Sequence, residues 1–192
     1  MVPDPFEHAV DIDPDALRVE RFVETRKVQT FDCGNKDLND FLNTREVAEY
    51  ERQGLGRTYL VYYRGDPVAY FTVSFDSLRV EYLKTVKSFS RFAEMRLEAL
   101  PAIKIGRLAV DSKFQNRGIG RFLIKYISGM ALEESGKMGV RLLVLQAKPE
   151  SIRFYEQCGF KLTWETKREK ARRNRTMFLD LHKLWGIADG AD

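Results

Sequence analysis

The chain has 192 residues, of which 44% are hydrophobic and 31% charged, and its formal net charge is +4. This length and composition allow one globular domain with a sizeable core, and they differ from those of disordered and membrane proteins. No apolar run is long enough for a transmembrane helix, so no membrane association is expected. The first residues contain neither the basic nor the apolar segment of a secretory signal.

Metal and disulfide chemistry are not expected. Two cysteines, Cys33 and Cys158, do not make a disulfide framework, and two histidines are too few to assemble a zinc site. We therefore expect an intracellular, cytoplasmic protein that binds no metal.

Charge is distributed unevenly along the chain. Residues 1–15 carry five acidic and no Lys or Arg side chains, whereas residues 161–175 carry seven basic and two acidic ones. We predict a loose acidic segment over residues 1–16, a single domain over 17–185 and a flexible tail over 186–192.

The first half of the chain reads as a strand, two helices and a hairpin. The segment ALRVERFV predicts a strand, and FDCGNKDLNDFLNTREVAEYERQGLG a turn followed by two short helices. Asn35 or Lys36 can open the first helix, and Leu38, Phe41 and Leu42 form its apolar stripe. RTYLVYY and PVAYFTVSF flank an RGD turn and predict a hairpin. Residues 79–100 are interpreted as an insertion with some helix, close to the functional site.

The second half predicts a parallel crossover. AIKIGRLAV is a strand, GIGRFLIKYISGMALEESG a helix, and VRLLVLQA a strand buried on both faces. The apolar stripe of this helix is predicted to comprise Ile119, Phe122, Leu123, Tyr126, Ile127 and Met130. PESIRFYEQCGF predicts a short helix that Gly159 stops, and FKLTWET and TMFLDLHKL predict two final strands. The fold class is therefore α/β, with a parallel pair of strands at the centre of a mixed sheet and antiparallel strands at its edges.

The glycine-containing stretch FQNRGIGRF lies between a predicted strand and a predicted helix. It is not a nucleotide P-loop, because Gly120 is followed by Arg121 and Phe122 rather than by Lys and a hydroxyl residue. It is not a dinucleotide fingerprint either, since Leu123 stands where the third glycine belongs and no acidic residue ends the next strand. Both nucleotide motifs are thereby excluded.

The same stretch resembles the acyl-CoA cradle of the GNAT acetyltransferases, Q/R-x-x-G-x-G/A. Backbone N–H groups at a helix N-terminus can face a pyrophosphate, and glycines let the backbone approach it closely. Arginines of the stretch add positive charge. The resemblance implies that acetyl-CoA is bound by Gln115, Asn116, Arg117, Gly118, Ile119, Gly120 and Arg121.

A second signature supports the same family. FYEQCGF resembles the superfamily's aromatic-Tyr pair that ends in Gly-Phe, and the resemblance covers residues 17–184. FDCGNKDLNDFL, GRTYLVYY and IGRLAVDSKFQNRGIG together look like the branch that includes the aminoacyl-tRNA-acetylating toxins of toxin–antitoxin pairs. The implied fold is the GNAT acyl-CoA N-acyltransferase fold, a mixed sheet of six to seven strands with a splayed parallel pair and flanking helices. The cofactor arm would then pair with Leu108, Ala109 and Val110, and its thioester would point toward Gln146.

Tyr155 stands at the family's general-acid position. A phenol with a pKa of about 10 can protonate the leaving CoA thiolate, whose parent thiol has a pKa of about 8.5. The alternative interpretation is an aromatic side chain that faces the core. Cys158 suggests a covalent acyl-cysteine route, but no histidine lies near it in sequence, so we do not favour that route.

The acceptor must present an unprotonated amine. AIKIGRLAV offers Lys104 and Arg107 but no acid that could act as a base. An α-amine, with a pKa of about 7.7–8.0, needs a base less than a lysine side chain does, with a pKa of about 10.4. The sequence therefore favours an α-amine, although a water relay from Glu150, Glu156 or the 79–100 segment could serve a lysine.

The basic segment TKREKARRNR is longer and more charged than a turn between two strands needs. It can contact a tRNA backbone, an acidic antitoxin segment or ribosomal RNA, or it is a solvated hairpin tip. The residues assigned to substrate or RNA binding are Lys167, Arg168, Lys170, Arg172, Arg173 and Arg175.

The sequence thus predicts an acetyl-CoA-dependent N-acetyltransferase that releases CoA and modifies the α-amine of an aminoacyl-tRNA. A first alternative acceptor is a protein N-terminus, a ribosomal protein or a small-molecule amine. A second alternative is a module that binds acyl-CoA as a sensor, or binds RNA, without turnover. The resemblance also implies a small antitoxin protein as partner, and homodimers are common among such proteins.

Overall fold

The computed structural model describes residues 12–23, 31–83, 86, 89, 92, 94–164 and 173–184. The predicted acidic segment up to residue 11 and the predicted tail lie outside these ranges. Among the described helices none is long and apolar enough to cross a membrane. The same ranges hold no group of three or more His, Cys, Asp or Glu side chains that could bind a metal ion.

The predicted mixed α/β fold is confirmed. Seven strands form one sheet in the order β1-β2-β3-β4-β5-β7-β6, in which β4 and β5 are the parallel pair. The strands are β1 Leu17–Arg21, β2 Arg57–Tyr63, β3 Asp66–Arg79, β4 Ala99–Val110, β5 Leu142–Ala147, β6 Lys161–Leu162 and β7 Arg175–Asp180. The helices are α1 Lys36–Asn43, α2 Glu46–Arg52, α3 Ile119–Ser135, α4 Ile152–Gln157 and α5 Leu181–Leu184.

The chain divides into two compact units, and the division falls within β3, β4 and α3. The first unit comprises Met1–Ser74 and Ile105–Tyr126, and the second comprises Phe75–Lys104 and Ile127–Asp192. The first unit has a core that joins α1 and α2 to one face of the sheet, built on buried Phe31, Phe41, Leu42, Val47, Leu60, Tyr70 and Ala109. The second has a core built on Leu78, Val80, Leu83, Phe89, Leu100, Ala102, Leu142, Val144 and Phe178.

Local chemistry explains the ends of the elements in the first unit. The side chain of Asn35 caps α1 by accepting a hydrogen bond from the Leu38 N–H. Asn35 is one of the two residues that the sequence offered as the start of this helix. The hairpin turn places Arg64 at φ 53° and Gly65 at φ 96°, which are the two left-handed positions of a two-residue β-hairpin loop. The RGD sequence is therefore a turn, as predicted.

Two strand ends differ from the prediction. Strand β3 continues through Arg79 and is followed by a short 3-10 helix, so the 79–100 segment begins as sheet. Its Val80 and Leu83 are buried in the second core together with Leu78 of β3 and Leu100 of β4. The predicted last strand ends at Asp180, and its final four residues form α5.

The predicted apolar stripe of α3 is confirmed in part. Ile119, Leu123 and Ile127 are buried, but Tyr126 is 36% exposed. The centre of its ring lies 6.2 Å from that of Phe71. An aromatic side chain with a polar tip can occupy the margin of a helical stripe, which the residue spacing alone does not reveal.

Candidate active site

Residues 115–120 of the first unit, called here the glycine loop, have the backbone geometry of an anion site. Asn116 and Gly118 have φ of 60° and 84°, which turns the chain between β4 and α3. The Phe122 N–H donates to the Gly118 carbonyl at 3.1 Å, so the N–H groups of the first helical turn have no acceptor within the helix. Such N–H groups, together with the positive end of the helix dipole, fit a pyrophosphate.

The side chains of the loop have two different environments. Arg117 is exposed, with its guanidinium 5.8 Å from the centre of the Phe114 ring. Gln115 was expected to contact the cofactor, but its amide donates to the carbonyls of Cys33 and Val110, each at 3.0 Å. Its side chain therefore ties the loop to the protein.

Strand β4 leads into this loop through the three residues predicted to pair with the cofactor arm. Ala109 is buried as part of the first core, whereas Leu108 and Val110 are half-buried. The Asp111 N–H that follows donates to the Val68 carbonyl at 2.8 Å, which fixes the end of β4 to β3.

Tyr155 lies on α4 in the second unit. Its ring is half-buried and packs edge-on against Phe154 and Phe160, with ring centres 5.0 and 5.7 Å away. Burial, reinforced by Cys158, raises the pKa of Tyr155 to about 12. No described residue hydrogen-bonds its hydroxyl.

The turn after α4 follows the prediction. Gly159 has φ 88°, and the Phe160 N–H donates to the Tyr155 carbonyl at 3.0 Å. Cys158 is fully buried, so its thiol is poorly placed to form a covalent acyl-cysteine. Gln146 is the one exposed residue of β5, opposite Thr176 of β7.

Two acidic residues lie beside the basic residues of β4, a proximity that the sequence did not predict. In the second unit Lys104 Nζ is 3.7 Å from an Asp76 oxygen of β3. In the first unit Arg107 donates to Glu46 of α2 at 3.1 Å, and its guanidinium lies 3.7 Å from the centre of the Phe41 ring. Each acid is thus paired with a cation, and no local pattern could have revealed contacts this distant in sequence.

The basic segment is described only at its end. Lys167, Arg168, Lys170 and Arg172 lie outside the described residues, whereas Arg173 is exposed and Arg175 opens β7. Arg175 is half-buried and opposite Ala147 of β5.

Residues 55–162 match the family described as Acetyltransferase (GNAT) domain. This chain belongs to the GNAT acetyltransferase family. A GNAT acetyltransferase transfers an acetyl group from acetyl-CoA to an amine, so the protein is an N-acetyltransferase whose acyl donor is acetyl-CoA.

Several proteins similar to this chain are toxins. A tRNA-acetylating toxin of Mycobacterium tuberculosis (strain ATCC 25618 / H37Rv) is 26% identical over 144 residues, which cover 74% of this chain and 83% of that protein. AtaT complexed with acetyl-methionyl-tRNAfMet has a TM-score of 0.74 and 21% identity, over 89% of this chain and 98% of that one. A Tyr→Phe mutant of AtaT bound to the C-terminus of the antitoxin AtaR and acetyl-CoA has a TM-score of 0.70 and 20% identity, over 92% of this chain and 100% of that one. These two structures establish that the GNAT fold extends over most of the chain.

The conformation of Gly118 gives a first prediction for this GNAT enzyme. A side chain at φ 84° is strained by about 1–2 kcal/mol, so we expect Gly118→Ala to weaken acetyl-CoA binding about tenfold. Isothermal titration calorimetry measures this affinity. Gly129→Ala is the matched control, because Gly129 lies within α3 and a methyl group there meets no atom within 4 Å. Equal affinity of both variants would show that the loop does not need a left-handed residue for binding.

Proposed function

We propose that this protein acetylates the α-amine of an aminoacyl-tRNA. Acetyl-CoA supplies the thioester from which the acetyl group is transferred. The first helical turn of α3 and the loop of residues 115–120 would hold its pyrophosphate, with Arg117 and Arg121 adding positive charge. Main-chain groups of Leu108, Ala109 and Val110 would hold the pantetheine arm.

The choice of an α-amine rests on the pairing of the acidic side chains beside β4. Asp76 and Glu46 are each engaged in an ion pair with a cation of β4. With neither acid assigned as a base, the favoured acceptor is an amine that is already largely free. At pH 7.4 about a quarter of an α-amine is unprotonated, against about a thousandth of a lysine side chain.

Tyr155 is the residue that we propose as the general acid. As the amine nitrogen bonds to the acetyl carbon and the bond between that carbon and sulfur breaks, the hydroxyl hydrogen would pass to the departing thiolate. The proton that the amine loses would then restore the phenol. The raised pKa keeps this proton on the phenol at neutral pH, which suits an acid and does not suit a base.

The pH dependence of kcat follows from this environment. A phenol with a pKa of about 12 remains protonated at pH 10.5, whereas an ordinary phenol with a pKa of about 10 is mostly ionised there. We therefore expect kcat to stay level from about pH 8.5 to 10.5 with an acceptor whose amine titrates below that range. A decline in kcat centred near pH 10, measured in steady state, would contradict the assignment.

Transfer RNA as the carrier of the α-amine is supported by the relatives and by charge. The mycobacterial relative is a tRNA-acetylating toxin, and AtaT was solved with acetyl-methionyl-tRNAfMet. Lys167, Arg168, Lys170, Arg172, Arg173 and Arg175 would supply contacts to phosphates, which dominate the affinity of nucleic-acid complexes.

Reversing the charges of Arg172, Arg173 and Arg175 should weaken tRNA binding and flatten its salt dependence, since fewer counterions are then released. Fluorescence anisotropy between about 50 and 200 mM salt measures both quantities. The control variant reverses Lys36, Arg52 and Lys137, three exposed cations on other elements. If the two triple variants lose the same affinity, the basic segment has no particular role.

A partner and a compartment follow from the same function. AtaT was solved with the C-terminus of the antitoxin AtaR, and we propose that a small antitoxin protein likewise neutralises this enzyme. An enzyme that acts on charged tRNA works where translation occurs, so we propose a cytoplasmic location.

The acceptor is tested with labelled acetyl-CoA and separate pools of charged tRNA, deacylated tRNA and total cell protein. Label in charged tRNA alone, released by mild alkali as an N-acetyl amino acid, is the expected result. Label confined to protein would refute the tRNA proposal, and no label in any pool, with acetyl-CoA still bound, would indicate a module without turnover.

A further inference from the structure

A turn near the N-terminus is hydrogen-bonded to the glycine loop across about eighty residues of sequence. The turn consists of residues 31–34 and is called here the FDCG turn. The Ser112 N–H donates to the Asp32 carbonyl at 2.8 Å, and the Asp32 N–H donates to the Asp111 carboxylate at 3.0 Å. Gln115 completes the connection by donating to the Cys33 carbonyl at 3.0 Å.

Asp111 is the central acceptor of this connection. Its side chain is buried, and its second oxygen accepts the Lys113 N–H at 3.0 Å, which caps the 3-10 turn that opens the loop. One carboxylate thus binds the FDCG turn and the start of the loop together. A displacement of the turn would remove a partner from a buried charged group, which is costly.

Asn39 of α1 holds the FDCG turn in place. Its amide nitrogen donates to Asp32 Oδ1 at 2.6 Å. Its amide oxygen accepts hydrogen bonds from the Cys33 N–H at 2.9 Å and from the Cys33 thiol at 3.1 Å. Asp32 Oδ1 also accepts the Gly34 N–H at 2.9 Å. The hydrogen bond from Gly34, and to a smaller extent that from Asn39, lowers the pKa of Asp32. The Asp32 carboxylate therefore stays ionised at neutral pH.

We propose that the FDCG turn, fixed by Asn39 and Asp32, is the device that positions the glycine loop for the phosphates of acetyl-CoA. The inference rests on the pyrophosphate cradle proposed above. Asn39 and Asp32 are positioning residues, since each acts on the loop through the main chain of the turn. Gln115, which the motif marks as a cofactor contact, carries this link. Rigid support of this kind sets how well preorganised donors meet a charged group.

The test uses two acyl donors that differ in the part the loop would bind. S-Acetylpantetheine carries the thioester but lacks the pyrophosphate and the nucleotide. We expect Asn39→Ala to raise the KM for acetyl-CoA about tenfold, to leave kcat within about twofold and to leave kcat/KM for S-acetylpantetheine unchanged. Asp37→Asn, at an exposed position of the same helix, is the control and should change none of these values.

A double-mutant cycle identifies the route of the effect. If Asn39 acts through the turn and Gln115, then Asn39→Ala adds little to the KM change of Gln115→Ala. Additive changes, or an equal loss with both acyl donors, would overturn the proposal and indicate a general loss of stability. Asp32→Ala, at an exposed position, is expected to repeat the Asn39→Ala result and serves if that variant does not fold.

The same experiment separates this inference from the cradle itself. A wild-type enzyme that uses both acyl donors equally well would refute the pyrophosphate cradle. A wild-type enzyme that prefers acetyl-CoA, with a preference that Asn39→Ala and Asp32→Ala retain, would refute only the positioning role of the FDCG turn.

Discussion

Tyr155→Phe is expected to lower kcat about 10²–10³-fold while the affinity for acetyl-CoA stays unchanged, because general-acid catalysis contributes rate enhancements of this size. The substitution removes a single oxygen. The ring contacts to Phe154 and Phe160 remain, and the removed hydroxyl makes no hydrogen bond to any described residue. A loss of rate would therefore report on chemistry rather than on folding.

Rapid-quench kinetics with charged tRNA and calorimetry with acetyl-CoA measure the two quantities. Tyr126→Phe is the matched control, because this tyrosine also lies among aromatic rings, on α3. An unchanged kcat for Tyr155→Phe would remove Tyr155 from the mechanism and leave it as an aromatic side chain of α4.

Arg141→Ala is expected to lower the free energy of unfolding by about 3–5 kcal/mol, because it leaves a buried carboxylate without its partner. Arg141 Nε and Nη2 lie 2.9 and 3.0 Å from the two oxygens of Asp180, and both side chains are buried. A third nitrogen is 2.8 Å from His182 Nδ1, and the guanidinium lies 5.5 and 5.2 Å from the rings of Phe89 and Phe92. The pair joins the residue that precedes β5 to the last residue of β7 in the second unit.

Urea denaturation measures this loss, and two further variants interpret it. Removing both charges, as in Arg141→Met with Asp180→Leu, should restore most of the stability, since no charge is then buried alone. Lys104→Ala breaks a half-exposed pair with Asp76 and should cost less than about 1 kcal/mol. A loss below about 1 kcal/mol for Arg141→Ala would mean that Asp180 finds another partner or water.

The sequence predicts those parts of the fold that short-range patterns encode. The hairpin follows from β-branched and aromatic runs around Arg64 and Gly65, and the start of α1 follows from the capping residue Asn35. The glycine loop is visible because anion binding at a helix N-terminus requires its residues in fixed sequence order. Each of these features depends on neighbours within about four residues.

Features that depend on distant contacts could not be predicted. The two carboxylates beside β4 come from β3 and α2, so a search of the β4 sequence finds only Lys104 and Arg107. Gln115 reads as a cofactor ligand in the motif, and only the fold shows its bonds to Cys33 and Val110. The extension of β3 and the burial of Val80 likewise depend on a core assembled from several elements.

The proposal that the acceptor is the α-amine of an aminoacyl-tRNA is tested by identifying the atom that receives the acetyl group. Wild-type enzyme is incubated with acetyl-CoA and one charged tRNA, the RNA is digested with nuclease, and the terminal aminoacyl-adenosine is analysed by mass spectrometry. The expected product carries a single acetyl group on the α-nitrogen of the amino acid. An acetyl group found only on protein lysines, with the aminoacyl-adenosine unmodified, would contradict it.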